Sequence, residues 1–212
     1  MNTLKLREYK KGLKLTNVQQ EVLVGTLLGD SHLEDYESKT GLNYKLMVQH
    51  GLSQKAYTDW LYAVFKDWVL TPPKAKDQIV NGKLYKKYWF NTVSHIAFRF
   101  FAQQFYGSGK KTVPKLIHRW LTPLGLAVWF MDDGSIKSKH HRALIINTQC
   151  YSDIDLHRLQ KVLLDKYGIA TKLRKQKEGK QIYILAISVQ KFVEIIRPHI
   201  IPEMEYKLGK LR

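Results

Sequence analysis

The sequence predicts an α+β (mixed) protein made of two pseudo-symmetric repeats, each ordered α-β-β-α-β-β-α, with antiparallel sheets. Three observations carry this. An apolar helix ending in an acid occurs twice, at Val22 to Ser31 and at Gly125 to Gly134. A turn pair between strand-like runs follows in each half, at Asn81-Gly82 and Glu178-Gly179, and Asn-Gly is a strong hairpin signal. One breaker-rich stretch, Gly107 to Pro114, lies near mid-chain.

Each acid-ended helix leads into a short strand, a polar loop and a longer strand, over Tyr44 to Gln49 and over Ala143 to Thr148. A second helix is predicted from Gln54 to Trp68 and from Asp153 to Tyr167. There Tyr57, Trp60, Val64 and Trp68 recur as Leu156, Leu159, Leu163 and Tyr167 at helical spacing, a core pattern. Hairpin strands follow over Gln78 to Val80 and Lys83 to Thr92, then over Thr171 to Lys177 and Lys180 to Ser188. A third helix closes each half, over His95 to Phe105 and over Val189 to Ile196, the latter stopped by Pro198. The expected domains are an N-terminal repeat over 1–106, a linker over 107–122 and a C-terminal repeat over 123–212.

The chain carries 35 Lys and Arg against 18 Asp and Glu, a formal net charge of +17, which points to a polyanionic partner such as nucleic acid. Its longest apolar runs, LVGTLL and GLAVWFM, fall far short of the ~20 residues that span a bilayer, so no membrane partner is expected. The start MNTLKLREYKKGLKLT has no apolar core for secretion, and Glu8 speaks against a transit peptide; the protein is expected to act where it is made. Cys150 is the only cysteine, which excludes an intramolecular disulfide and a thiolate cluster and suggests a buried small residue. The eight His residues show no metal-ligand spacing, and none is assigned a role.

Asp30 and Asp133 each stand at the C-terminal end of a helix, where the macrodipole opposes a negative charge by roughly 0.3–1 kcal/mol. Repetition of this costly placement at the same point of two matching helices favours a functional role. Gly25 and Gly29 bare one stripe of the first helix, while Gly125 and Ala127 thin the second, so two backbones can approach. Packing there would bring the acids side by side, where they repel unless a cation intervenes. Oxygen ligands with open positions suit Mg²⁺, with Mn²⁺ as a substitute. Gly29 and Asp132, which precede the two acids, are counted with them at the metal site; Asp132 points roughly 100° away on a helix and rivals Asp133. Metals so held would activate water and stabilise the leaving oxygen in phosphodiester hydrolysis, with one Asp per half serving one DNA strand.

At LVGTLLGDS and LAVWFMDDG the chain resembles the LAGLIDADG homing endonucleases, especially their single-chain, two-repeat branch, to which the yeast mitochondrial omega-intron endonuclease belongs. The resemblance extends through LREYK, KAY at Lys55 to Tyr57, Pro72-Pro73, KKTVP at Lys110 to Pro114, LTP at Leu121 to Pro123, INTQ at Ile146 to Gln149, and MEYKL. It implies repeats packed through the LAGLIDADG helices, and sheets forming a DNA-binding saddle. It also implies metal-binding Asp30 and Asp133, and active-site lysines at Lys111 and Lys207, with Lys110 the competitor of Lys111. The helix-packing Gly of the motif is present as Gly25 but is Val128 in the second copy.

A monomer cutting a long asymmetric double-stranded DNA target is therefore expected, with an intron origin in an organelle (mitochondrion or chloroplast) or a microbial cytoplasm. The rivals are a group I intron RNA maturase of the same fold, acting on its own intron RNA, and a non-catalytic DNA-binding regulator. DNA contacts are expected from Lys83, Lys86 and Lys87 around the first hairpin and from Lys172, Arg174, Lys175, Lys177 and Lys180 around the second. Lys172 and Arg174, two apart on a strand, share a face, and a two-stranded ribbon fits the major groove. Gln49 and Gln149, at the ends of matching strands, are placed to orient water or touch the DNA backbone.

Overall fold

The structure, a computed structural model, describes residues 3–36, 43–107, 109–138 and 141–209. The polar loop expected in the first repeat falls on 37–42, outside the described residues. The elements are α1 (Thr3–Lys11), α2 (Asn17–Leu28), β1 (His32–Tyr36), β2 (Asn43–Gly51), α3 (Lys55–Val64), β3 (Lys74–Val80), β4 (Lys83–Asn91) and α4 (Arg99–Tyr106). They continue with α5 (Ile117–Trp120), α6 (Pro123–Asp133), β5 (Gly134–Ser138), β6 (His141–Ile146), α7 (Asp153–Tyr167), β7 (Thr171–Gln176), β8 (Gly179–Ile184) and α8 (Ala186–Ile196). The expected order occurs twice, from α2 to α4 and from α6 to α8. Each set of strands forms an antiparallel four-stranded sheet, ordered β1-β2-β4-β3 and β5-β6-β8-β7. The chain forms two compact units: residues up to Gln20 with Asp30–Ala102, and Glu21–Gly29 with the residues from Gln103 onward.

In the first unit α3 covers the sheet face that carries buried Leu46, Val48 and Phe90. Tyr62 meets Phe90 edge-on at 5.9 Å, and the Tyr88 hydroxyl donates to Asp59 at 3.0 Å. The β3–β4 turn has φ of 50° at Asn81 and 76° at Gly82, positive at both central positions as the twist of a two-residue hairpin demands. In the second unit buried Leu144, Ile146, Ile182 and Ile184 line one sheet face, and Phe192 of α8 meets Phe130 of α6 at 5.4 Å. Local caps fix the helix starts. The Ser152 hydroxyl accepts from the Asp155 amide at 3.2 Å ahead of α7, and Thr122 accepts from the Gly125 amide at 3.2 Å with Pro123 at the first position of α6.

Several boundaries differ from the expectations. The helix predicted to Trp68 ends at Val64 and tightens into a 3-10 turn over Lys66–Trp68, whose three-residue period sets Phe65 and Trp68 on one side, both buried. Strand β3 begins at Lys74, just past Pro72-Pro73, and not at Gln78. The strand predicted to Ser188 stops at Ile184, and Ser188 is a buried residue of α8 whose hydroxyl accepts from the Ala170 amide at 2.9 Å; the run ILAISV is apolar at both periods. Gln149 is not at a strand end but in the turn after β6. Cys150 is exposed, not buried. Helices α1 and α5 had no counterpart among the elements expected from sequence.

Candidate active site

The glycines of α2 give it a bare stripe, and α6 packs against that stripe inside the second unit. A Cβ built on Gly25 would collide with the Gly125 carbonyl and lie 2.7 Å from Val128 Cβ. Val128, which replaces a second packing glycine, thus rests in the space that Gly25 leaves. The same exchange recurs one turn later, where a Cβ on Gly29 would collide with the Asp132 side chain. Asp132 is 7% exposed and accepts from the Thr26 hydroxyl at 3.0 Å, so its side chain is turned into the helix seam. Across the start of the seam the Thr122 hydroxyl donates to Glu21 at 2.6 Å.

The C-terminal carbonyls of both helices are held by donors. The Lys111 ammonium donates to the Gly29 carbonyl at 2.5 Å; Lys207 donates to the Asp132 carbonyl at 2.7 Å and also to the Met131 carbonyl. Each lysine therefore sits on the carbonyl just before Asp30 or Asp133, where a cation meets the negative end of a helix. Lys111 arrives on a strap anchored to α7: the Val113 amide donates to Asp155 at 3.0 Å, and Arg158 donates to the Val113 carbonyl at 2.6 Å. Lys207, 9% exposed, arrives on the 3-10 helix Pro202–Leu208, pinned by buried Met204 and Leu208. Burial pushes the Tyr151 phenol well up and keeps it a donor, and it caps the Leu28 carbonyl at 2.8 Å. Asn147 donates to the Asp133 carbonyl through its backbone and its side chain, both at 3.0 Å, and accepts from Gln181 at 2.6 Å. Lys110 is exposed.

Asp30 follows Gly29 in the chain and belongs to the first unit. Its side chain is 46% exposed, with Oδ2 3.8 Å from Nε2 of buried His50. The other ring nitrogen, Nδ1, lies 3.0 Å from the Thr58 hydroxyl. Sequence reasoning gave His50 no role, and nothing but the β2 register identifies it among eight histidines. Asp133 is half-buried at the end of α6. These are oxygen donors on helix ends, partly open to solvent, and that donor chemistry fits a hard divalent cation.

Strand alternation sorts the predicted DNA contacts. On the first sheet Lys83, Lys87 and Gln49 lie on the face opposite α3, while Lys86 shares the α3 side with Tyr88 and Phe90. On the second sheet Lys172 and Arg174 lie opposite the buried residues, whereas Lys175 and Lys180 alternate with Leu173 and Ile182 onto the helix-bearing side. There Lys180 pairs with Asp153 at 2.7 Å and lowers that carboxyl. Lys177 is in the turn. The same open faces also carry Lys45, Lys74, Lys76 and Trp89 on the first sheet and Lys137 and Tyr183 on the second, which the sequence reading did not single out. Each face carries a lysine over an aromatic ring, Lys76 over Trp89 at 5.1 Å and Lys137 over Tyr183 at 5.3 Å. The full run of β3 exposes the Lys74-Lys76 alternation that a start at Gln78 hides.

Two repeats, each with a four-stranded antiparallel sheet and an acid-ended helix, make up the homing-endonuclease fold. Residues 20–193 match the model of the LAGLIDADG DNA endonuclease family, and the chain belongs to that family. A probable intron-encoded endonuclease of Wickerhamomyces canadensis is 30% identical over 98% of this chain and 91% of its own length. The cytochrome b mRNA maturase bI2 of Saccharomyces cerevisiae is 32% identical over 89% of this chain, which spans 46% of that longer protein. The homing endonuclease I-WcaI bound to its DNA recognition sequence superposes with a TM-score of 0.88 at 28% identity, covering 98% of this chain and 93% of that one. Among the described residues no helix is long and apolar enough to cross a membrane.

Proposed function

We propose that this chain is an intracellular, site-specific homing endonuclease, active as a monomer, that makes a double-strand break in a long asymmetric DNA target by metal-dependent hydrolysis. The matched seating of Lys111 and Lys207 on the carbonyls before Asp30 and Asp133 carries the reading, since it repeats an ammonium group one residue from each acid at the same point of two helices. In it, residues 1–106 and 123–212 act as the two repeats, each supplying one acid to one strand's cleavage, while the joining segment 107–122 supplies Lys111 and the second repeat Lys207.

Asp30 and the preceding Gly29, and Asp133 and the preceding Asp132, would hold Mg²⁺ or Mn²⁺; when bound, the ion supplies Lewis-acid charge and makes its water more acidic. The chain's own contribution is positional and electrostatic. Lys111 and Lys207 keep fixed ammonium charge beside the scissile phosphate, where negative charge grows in the transition state. Lys172, Arg174, Lys83, Lys87, Lys74 and Lys76 neutralise DNA phosphates, and Trp89, Tyr183 and Gln49 meet base edges or sugars.

Selection of cleaved sites from a randomised DNA library with Mg²⁺ tests the reading. Asp30→Asn and Asp133→Asn should each abolish double-strand cleavage of the selected site while leaving binding in Ca²⁺ near normal. Full cleavage by either variant overturns it. The maturase relative favours a second reading, assistance to group I intron splicing, which a splicing assay on the encoding intron would separate because Asp30→Asn should leave it intact.

A further inference from the structure

Counting from the two acids, the repeats can be aligned residue by residue through the sheet register. His32 and Ser135, each two beyond its acid, pair with Met47 and Ile145; three residues further along stand His50 and Thr148. The two positions are both buried, yet chemically unlike. The Thr148 hydroxyl donates to the Lys180 carbonyl at 2.9 Å and accepts from the Ile182 amide at 3.1 Å, so it serves the sheet. His50 spans from Thr58 of α3 to Asp30, with Nδ1 3.0 Å from the Thr58 hydroxyl and Nε2 3.8 Å from Asp30 Oδ2. Its ring is also held by Tyr57 at 5.0 Å between centroids.

The Thr58 hydroxyl donates to the Gln54 carbonyl at 3.4 Å and lies 3.0 Å from His50 Nδ1, a contact whose direction depends on the ring tautomer. A ring proton on Nε2 is the arrangement that attraction to the Asp30 carboxylate favours. At 3.8 Å the pair is in electrostatic contact and not hydrogen-bonded, and metal-binding carboxylates are commonly oriented by polar partners just outside the ligand set.

We infer that His50 is a positioning residue for the Asp30 carboxylate alone, relayed from Thr58, so that the two cleavage centres are oriented by different means and respond differently to substitution. The inference rests on the endonuclease reading and on assignment of one strand to each acid.

The test follows both strands of the selected target, each with its own 5′ dye, on purified full-length variants. His50→Leu should slow one strand about 10–100-fold and accumulate nicked product. His50→Gln, whose amide reaches the Nε2 position, should restore most of the balance, and Thr58→Val should give a smaller slowing of the same strand. Long-range ¹H–¹⁵N correlation on the metal-free, DNA-free protein should show His50 protonated at Nε2. Equal slowing of both strands, no slowing in a variant with wild-type urea midpoint, or protonation at Nδ1 overturns the proposal. Retained double-strand cleavage by Asp30→Asn would instead overturn the endonuclease reading on which it stands.

Discussion

The ends of α2 and α6 share a backbone plan and differ in nearly every side chain around it. Helix α2 stops at Leu28 and leaves Asp30 in a turn, beside His50; α6 runs through Asp133, whose carbonyl is tied to Asn147. Where α2 has Gly25 and Gly29, α6 has Val128 and Asp132. The lysines differ too, since Lys111 holds one carbonyl from a half-buried strap and Lys207 holds two from a buried 3-10 helix. Keeping the geometry of a helix end thus does not require keeping its residues: small on one side licenses large on the other. The pairing of Gly25 with Val128 and of Gly29 with Asp132 is steric complementarity, and an asymmetric pair fills the seam that two glycines would leave hollow.

The largest difference should appear at the lysines. Lys207→Met is expected to lower cleavage about 10²–10³-fold and also to lower the urea midpoint, because two carbonyls lose a buried donor. Lys111→Met should lower cleavage comparably with a smaller stability loss; strand-resolved kinetics beside chemical denaturation separates the two effects, and an equal loss of stability would break the asymmetry. Next come the glycines. Gly25→Ala should cost about 1–3 kcal/mol by overpacking against Gly125 and Val128, with part recovered in the double variant Gly25→Ala/Val128→Ala. Additive losses in that double-mutant cycle would mean the two residues do not share the seam.

Smaller effects are expected on the sheets. Lys172→Ala or Lys76→Ala should reduce the salt slope of DNA binding by about 0.9 for each phosphate left without its cation. Lys180→Ala should leave that slope unchanged, because its side chain turns to Asp153. Equal salt slopes for Lys172→Ala and Lys180→Ala would place both faces of the second sheet on the DNA.

Much of the fold is legible in the sequence where a local pattern decides structure. The twin acid-ended helices, the Asn81-Gly82 turn and the extent of α7 need only periodicity and capping. Boundaries fail where both periods fit the same letters, as at Ile184–Ser188, or where a turn tightens to bury a ring, as at Trp68. The lysine pair enters through resemblance alone. No spacing rule separates Lys111 from the many other lysines of a chain this basic, and its seat depends on Asp155, far along the chain, fixing Val113.

What the sequence determined by itself was the duplicated plan, the basic character and the two acids, because helix periodicity, turn residues and charge act over a few residues. The tertiary structure decided which basic side chains share an open sheet face, which lysine meets which carbonyl, and that His50 rather than Thr148 faces an acid. Those choices depend on strand register and on contacts between residues distant in the chain, and a single-residue shift in register would reverse every face.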